Sequence, residues 1–138
     1  MYDSIGDISL TDTTQKPRIF KNRWFIRFTK REKISDAILA KAIADAEKGI
    51  ISADLGGNII KQRIARPGQG KSGGYRTIII FKKGDKAFFV YGFPKSDREN
   101  IAKDELATFK KAAKSLLTLS DKQIETLIKS GALTEVKS

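Results

Sequence analysis

The segment Tyr75–Lys82, YRTIIIFK, constrains the fold more than any other part of the chain. From Thr77 to Phe81 every residue is β-branched or aromatic, and beyond Thr77 there is no polar alternation. A strand of that kind fits a sheet covered on both faces. KGDK then supplies a tight turn at Gly84-Asp85, and AFFVYGF supplies a second strand, so residues 75–93 are predicted to form a hairpin.

Helices are signalled on both sides of the hairpin. Ser35 is placed to cap a helix over Asp36–Lys48 that Gly49 ends. Ile38, Leu39, Ala42, Ile43 and Ala46 form its apolar face. Ser96 with Glu99 reads as a capping box that opens a helix running to about Leu117. Its stripe is Ala102, Leu106, Phe109, Ala113, Leu116 and Leu117. Ser120 with Gln123 opens a short last helix, with Leu119 and Ile124 as a hydrophobic staple and Gly131 as its stop.

Two further strands are expected. In RIFKNRWFIRFTK, Trp24, Ile26 and Phe28 alternate with Arg23, Arg27 and Thr29, the pattern of a half-buried strand. After a turn at Gly56-Gly57, another strand is predicted from about Asn58 to Ala65. The order β-α-β-β-β-α-α defines an α+β fold of antiparallel strands under helices. Residues 1–17 are polar and read as a flexible arm, and residues 18–138 as one domain.

The chain has no cysteine and no histidine. Disulfides, thiolate metal sites and cysteine nucleophiles are excluded, as are the commonest general base and metal ligand. No apolar run approaches the ~18 residues of a membrane span. The N-terminus lacks a basic head followed by an apolar block, so a soluble cytoplasmic protein is expected.

Lys and Arg number 27 against 16 Asp and Glu, a formal charge of +11, which points to a polyanionic partner. The excess is uneven. Residues 55–84 contain no acid, yet hold Lys61, Arg63, Arg66, Lys71, Arg76, Lys82 and Lys83. A second basic block spans residues 16–33. Strand alternation puts Lys61, Arg63 and Ala65 on one face, opposite Ile60, Gln62 and Ile64. Arg76 opens the neighbouring strand, and Lys95 lies just beyond the next. Five or six cations are thereby expected at one end and face of the sheet. A solvated basic face is the alternative reading, although like charges placed side by side repel.

RPGQGKSGGYR joins two of these strands. Gly70-Lys71-Ser72 matches the end of a Walker A loop, but Ala65 stands where its first glycine belongs. A strand follows instead of a helix, so the helix N-terminus that would hold a nucleotide's β-phosphate is missing. Glycines 68, 70, 73 and 74 fit either a mobile connection or a bare backbone that lets a phosphate chain approach Arg66 and Lys71.

LGGNIIKQRIARPGQGKSGGYR and FFVYGFPKSDRENI together resemble the RelE/HigB-type toxins of bacterial toxin–antitoxin pairs, in a subgroup with a GKSGGYR signature. The resemblance runs from about Phe20 to Val136. It implies a RelE/ParE-like fold and endonucleolytic cleavage of mRNA, often in the ribosomal A site. It also implies inhibition by a cognate antitoxin encoded next door, here a helix-turn-helix protein. By the resemblance, Lys61 and Arg63 match the family's basic strand. Arg76 matches the arginine that holds the scissile phosphate, and Lys95 the basic residue ending the following strand.

The chemistry can be argued from the residues as well. RNA carries its own nucleophile, the 2′-hydroxyl, so no metal or cofactor is called for. Arg76, with its planar fork, suits the phosphorane. Arginine does not readily give up a proton, so a lysine is the better base. Lys61 is the candidate base, and Lys95 or Lys71 the acid. Arg63, Arg66 and Lys71 are candidate phosphate contacts, and Tyr75 and Tyr91 candidate stacking surfaces. A ParE-like gyrase toxin and a non-catalytic nucleic-acid-binding module are the rival readings.

Overall fold

A computed structural model of the chain describes residues 16–66, 68 and 73–138. Most of the N-terminal segment read as an arm, residues 1–15, lies outside the described residues, as does Lys71. Ten elements follow in order: β1 (Arg18–Asn22), α1 (Arg23–Glu32), α2 (Asp36–Glu47), β2 (Ala53–Gly56), β3 (Ile59–Ile64), β4 (Tyr75–Lys82), β5 (Lys86–Pro94), α3 (Lys103–Leu116), α4 (Asp121–Lys129) and β6 (Leu133–Glu135). The strands form one mixed sheet in the order β2-β3-β4-β5-β1-β6. All neighbours are antiparallel except β1 and β5, which run parallel. Among the described residues, no helix is long and apolar enough to cross a membrane.

The apolar run of β4 sits at the middle of the sheet and is buried from Tyr75 through Ile80. Helices cover both faces, as its lack of alternation requires. On one side Ile79, Ile60 and Phe89 pack with Phe25 and Phe28 of α1 and with Leu39 and Ile43 of α2. On the other, Ile78, Ile80 and Phe88 pack with Ala113 of α3 and Ile124 of α4. Each large side chain so buried contributes roughly 2–3 kcal/mol. The helix capped by Ser35, whose hydroxyl accepts the Ile38 amide, ends before Gly49, where φ is +83°. The last helix starts at Ser120 with the reciprocal Gln123 contact.

Three expectations are corrected. The segment read as one strand from Arg18 to Lys30 is a short strand followed by α1. Asn22 breaks it, because its side chain accepts the Phe25 amide at 2.8 Å and caps a helix. The alternation of Trp24, Ile26 and Phe28 misleads; the buried residues are Phe25, Phe28 and Thr29, at helical spacing. The third helix starts at Lys103, not after Ser96. Glu105, not Glu99, closes its first turn, accepting the Ala102 amide at 2.7 Å. Finally, β2 and β6 add strands to both edges of the sheet, β6 returning from α4 to pair with β1.

Candidate functional site

The acid-free stretch is built around the register of β3, β4 and β5. Arg63 on β3 is paired with Arg76 on β4, which is paired with Phe93 on β5. One step along the same face, Lys61, Ile78 and Tyr91 form the next row. Lys61 is therefore a diagonal neighbour of Arg76, within reach of a long side chain. Helix α3 packs over the apolar part of this face, and the cations come together beyond it.

Arg76 is the unusual member. It is only 6% exposed, and its Nη1 has no hydrogen-bond partner among the described residues. A buried donor left unmatched is uncommon in folded proteins, because it forfeits its water contacts without replacement. Burial, and after it the charge of Arg63, pulls the guanidinium below arginine's ordinary pKa, while Glu99 acts in the opposite sense. Arg63 itself is exposed and Lys61 half-buried.

The connection from β5 to α3, residues 95–102, crosses this end of the sheet. The Lys61 ammonium donates to the Glu99 carbonyl at 3.5 Å. Arg98 holds the connection down. Its guanidinium donates to both Glu105 oxygens, at 2.6 and 3.2 Å, and lies over the Phe93 and Tyr91 rings. Lys95 begins the connection; it is exposed, and its amide donates to the Gly74 carbonyl at 3.4 Å.

The structure does not gather every candidate on this face. Tyr75 is one residue from Arg76, so strand alternation turns it to the α1 side. There it is 1% exposed, packs edge-on against Phe28, and donates its hydroxyl to Glu32 at 2.5 Å. Desolvation first, then Glu32, raises the Tyr75 pKa. Arg66, past the end of β3, lies over the Tyr75 ring and so joins that side too. Among the described residues, which do not include Lys71, the expected cluster of five or six is thus three on one face, Lys61, Arg63 and Arg76, with Lys95 at its margin. Tyr91 stays on the cationic face, half-buried and packed against Trp24 and Phe93.

Gly74 has a plain physical reason. A Cβ there would lie 2.0 Å from the Ile64 carbonyl oxygen. The backbone that delivers Arg76 into the sheet therefore passes β3 too closely for any side chain.

Sequence reasoning missed Arg98, Glu99 and Glu105. Ser96 and Glu99 imitate a capping box, and the true cap at Ala102 has no capping side chain of its own. The acids missing from residues 55–84 are supplied from elsewhere: Glu32 beside Tyr75 and Glu99 beside Arg76.

A mixed sheet clad by helices on both faces, with cations crowded at one end, is a small basic α+β protein consistent with the RelE-like fold. Residues 17–136 match the family model described as the RelE toxin of the RelE / RelB toxin-antitoxin system, and the chain belongs to that family. Neither a comparison with curated proteins nor one with solved structures finds a match. Membership makes the protein a toxin of a toxin–antitoxin pair, whose partner is a cognate antitoxin.

Proposed function

We propose that this toxin is an endoribonuclease that cleaves mRNA, acting at the ribosome to stop translation. Family membership supports the class of activity, since toxins of this family are generally ribonucleases. The observation that carries the assignment to a site is Arg76: buried, crowded by Arg63, and with an Nη1 that has no partner among the described residues. A scissile phosphate would satisfy that donor and relieve the repulsion between the two guanidinium groups.

In the proposed mechanism Arg76 and Arg63 bind the phosphate and stabilise the dianionic phosphorane. Lys61, diagonal to Arg76, takes the proton from the 2′-hydroxyl, which attacks the adjacent phosphorus. The P–O5′ bond breaks, leaving a 2′,3′-cyclic phosphate. Lys95 gives a proton to the departing 5′-oxygen. The ring of Tyr91 lies within the same site, held between Trp24 and Phe93.

Induction followed by primer extension tests the proposal. Discrete breaks in mRNA, lost with Arg76→Ala in a protein that still folds, are expected. Intact mRNA with trapped gyrase–DNA complexes would overturn it. Arrest undiminished by Arg76→Ala would remove Arg76 as the phosphate ligand.

A further inference from the structure

Apart from Tyr75, four polar or charged residues are buried among those described: Thr29, Gln62, Arg76 and Thr77. Thr29 bonds within its own helix. The other three meet at one place in the register. Gln62 on β3 is paired with Thr77 on β4, and Thr77 follows Arg76. Gln62 stands between Lys61 and Arg63. Strand alternation turns Gln62 and Thr77 away from the cationic face, into the layer that holds Ile60, Ile64 and Ile79. A polar pair in an apolar layer thus lies directly behind the candidate site.

The bonds of this pair bracket the backbone of Lys61. The Thr77 hydroxyl donates to the Gln62 carbonyl at 2.9 Å. The Ser52 amide donates both to the Lys61 carbonyl, at 3.2 Å, and to Gln62 Oε1, at 3.1 Å. Gln62 Nε2 donates to the carbonyls of Ile50, at 2.8 Å, and Ala42, at 3.0 Å. Two of these contacts exceed what the backbone requires. The Ser52 amide already has the Lys61 carbonyl, and Ala42 lies inside α2, where its carbonyl has a helical donor. Such bonds add fixed position, because a buried polar network with its groups matched holds its members rigidly.

We propose that Gln62 and Thr77 are positioning residues that fix, from the reverse face of the sheet, the separation of Lys61 from Arg76. The inference rests on the reading of those two as base and phosphate ligand. They stand on different strands, so their spacing is only as firm as the link between β3 and β4. A displacement of about 1 Å at such a site can cost ~100-fold in rate. Gln62 and Thr77, at 5% and 0% exposure, act through their neighbours and not on RNA.

The test measures mRNA cleavage by the full chain, with kcat and KM read separately, at a temperature where melts show each variant folded. Thr77→Val keeps the shape and removes the hydroxyl; Gln62→Met keeps the length and removes the amide. Each should lower kcat about tenfold and change KM by less than about threefold. Thr77→Ser, which keeps the hydroxyl, should recover most of the rate. Ile60→Val trims the same layer without touching a polar bond and should leave kcat unchanged. Unchanged kcat in Thr77→Val would overturn the inference. So would an equal loss in Ile60→Val, or a rise in KM that accounts for the loss. If Gln62→Met does not fold, the Thr77 variants decide alone. A second readout is independent of cleavage. The side-chain NMR signals of Arg76 and Lys61 should shift and broaden in Thr77→Val but hold in Thr77→Ser, and signals unmoved in Thr77→Val would overturn the inference. If Arg76→Ala still cleaves mRNA, or the native chain cleaves none, the nuclease reading fails, and the NMR signals decide whether the pair positions these side chains.

Discussion

Arg63 and Arg76 are direct register partners on β3 and β4, two like charges side by side on one face of the sheet. Such a pair opposes folding by roughly 0.2–1 kcal/mol. Arg63→Ala should therefore raise the urea midpoint of the free protein. The same substitution should weaken RNA binding and reduce the single-strand salt slope by about 0.7. Loss of both stability and affinity would show that the pair is not held under repulsion. A gain in stability with a loss of function is the signature of a site kept for its ligand.

Gly74→Ala is expected to be disruptive out of proportion to its size. The added methyl would meet the Ile64 carbonyl at 2.0 Å, forcing β3 and the start of β4 apart. A loss of about 2–3 kcal/mol is expected, at the upper end of ordinary substitutions. Chemical denaturation measures it, and a change below ~0.5 kcal/mol would show that the backbone can yield there.

The Tyr75–Glu32 contact sets opposite limbs of the pH profile. The Tyr75 hydroxyl pulls the Glu32 carboxyl below its ordinary 4.5, and the guanidinium of Arg31 adds to this. Its share of stability is present above that value and is lost as pH falls through the lower, folded pKa. Tyr75 is raised above its ordinary 10.0, so its contribution is complete below 10 and declines as pH rises through the folded value. Tyr75→Phe should remove much of the alkaline decline and cost about 1–2 kcal/mol at neutral pH. An alkaline limb unchanged in Tyr75→Phe would assign it to other groups.

Glu105 serves two bonds at once, the Ala102 amide at the start of α3 and the Arg98 guanidinium. Arg98 first, then the Ala102 amide, lowers the Glu105 pKa. Glu105→Ala should release residues 95–102 from the cationic face while leaving the sheet in place. Amide exchange at Ile101 and Ala102 should speed up at least tenfold, with the protection of Ile78 to Ile80 retained. Equal acceleration at both places would mean global destabilisation instead.

What the sequence determined by itself lies where one local cause dominates. The run Thr77–Phe81 has no polar face, so it had to be a strand covered on both sides, and the hairpin with β5 followed from its turn. Ser35 and Ser120 announced their helices because a capping hydroxyl acts within three residues. Alternation along β3 put Lys61 and Arg63 on the more exposed face. It could also have warned that Tyr75 and Arg76 point to opposite faces.

Only the tertiary structure decided what depends on distant partners. Residues 23–30 carry both a two-residue and a helical period. The helix wins because Phe25 and Phe28 find the ring of Phe89 and the back of Gly92 on β5. The parallel pairing of β1 with β5 joins segments about 70 residues apart, beyond the reach of any local signal. The site follows the same rule. The register across three strands places Arg63 beside Arg76, and the connection clamped by Arg98 brings Glu99 near them. Composition showed that the chain is basic; packing decided which arginine is buried beside a like charge, with an Nη1 that has no hydrogen-bond partner among the described residues.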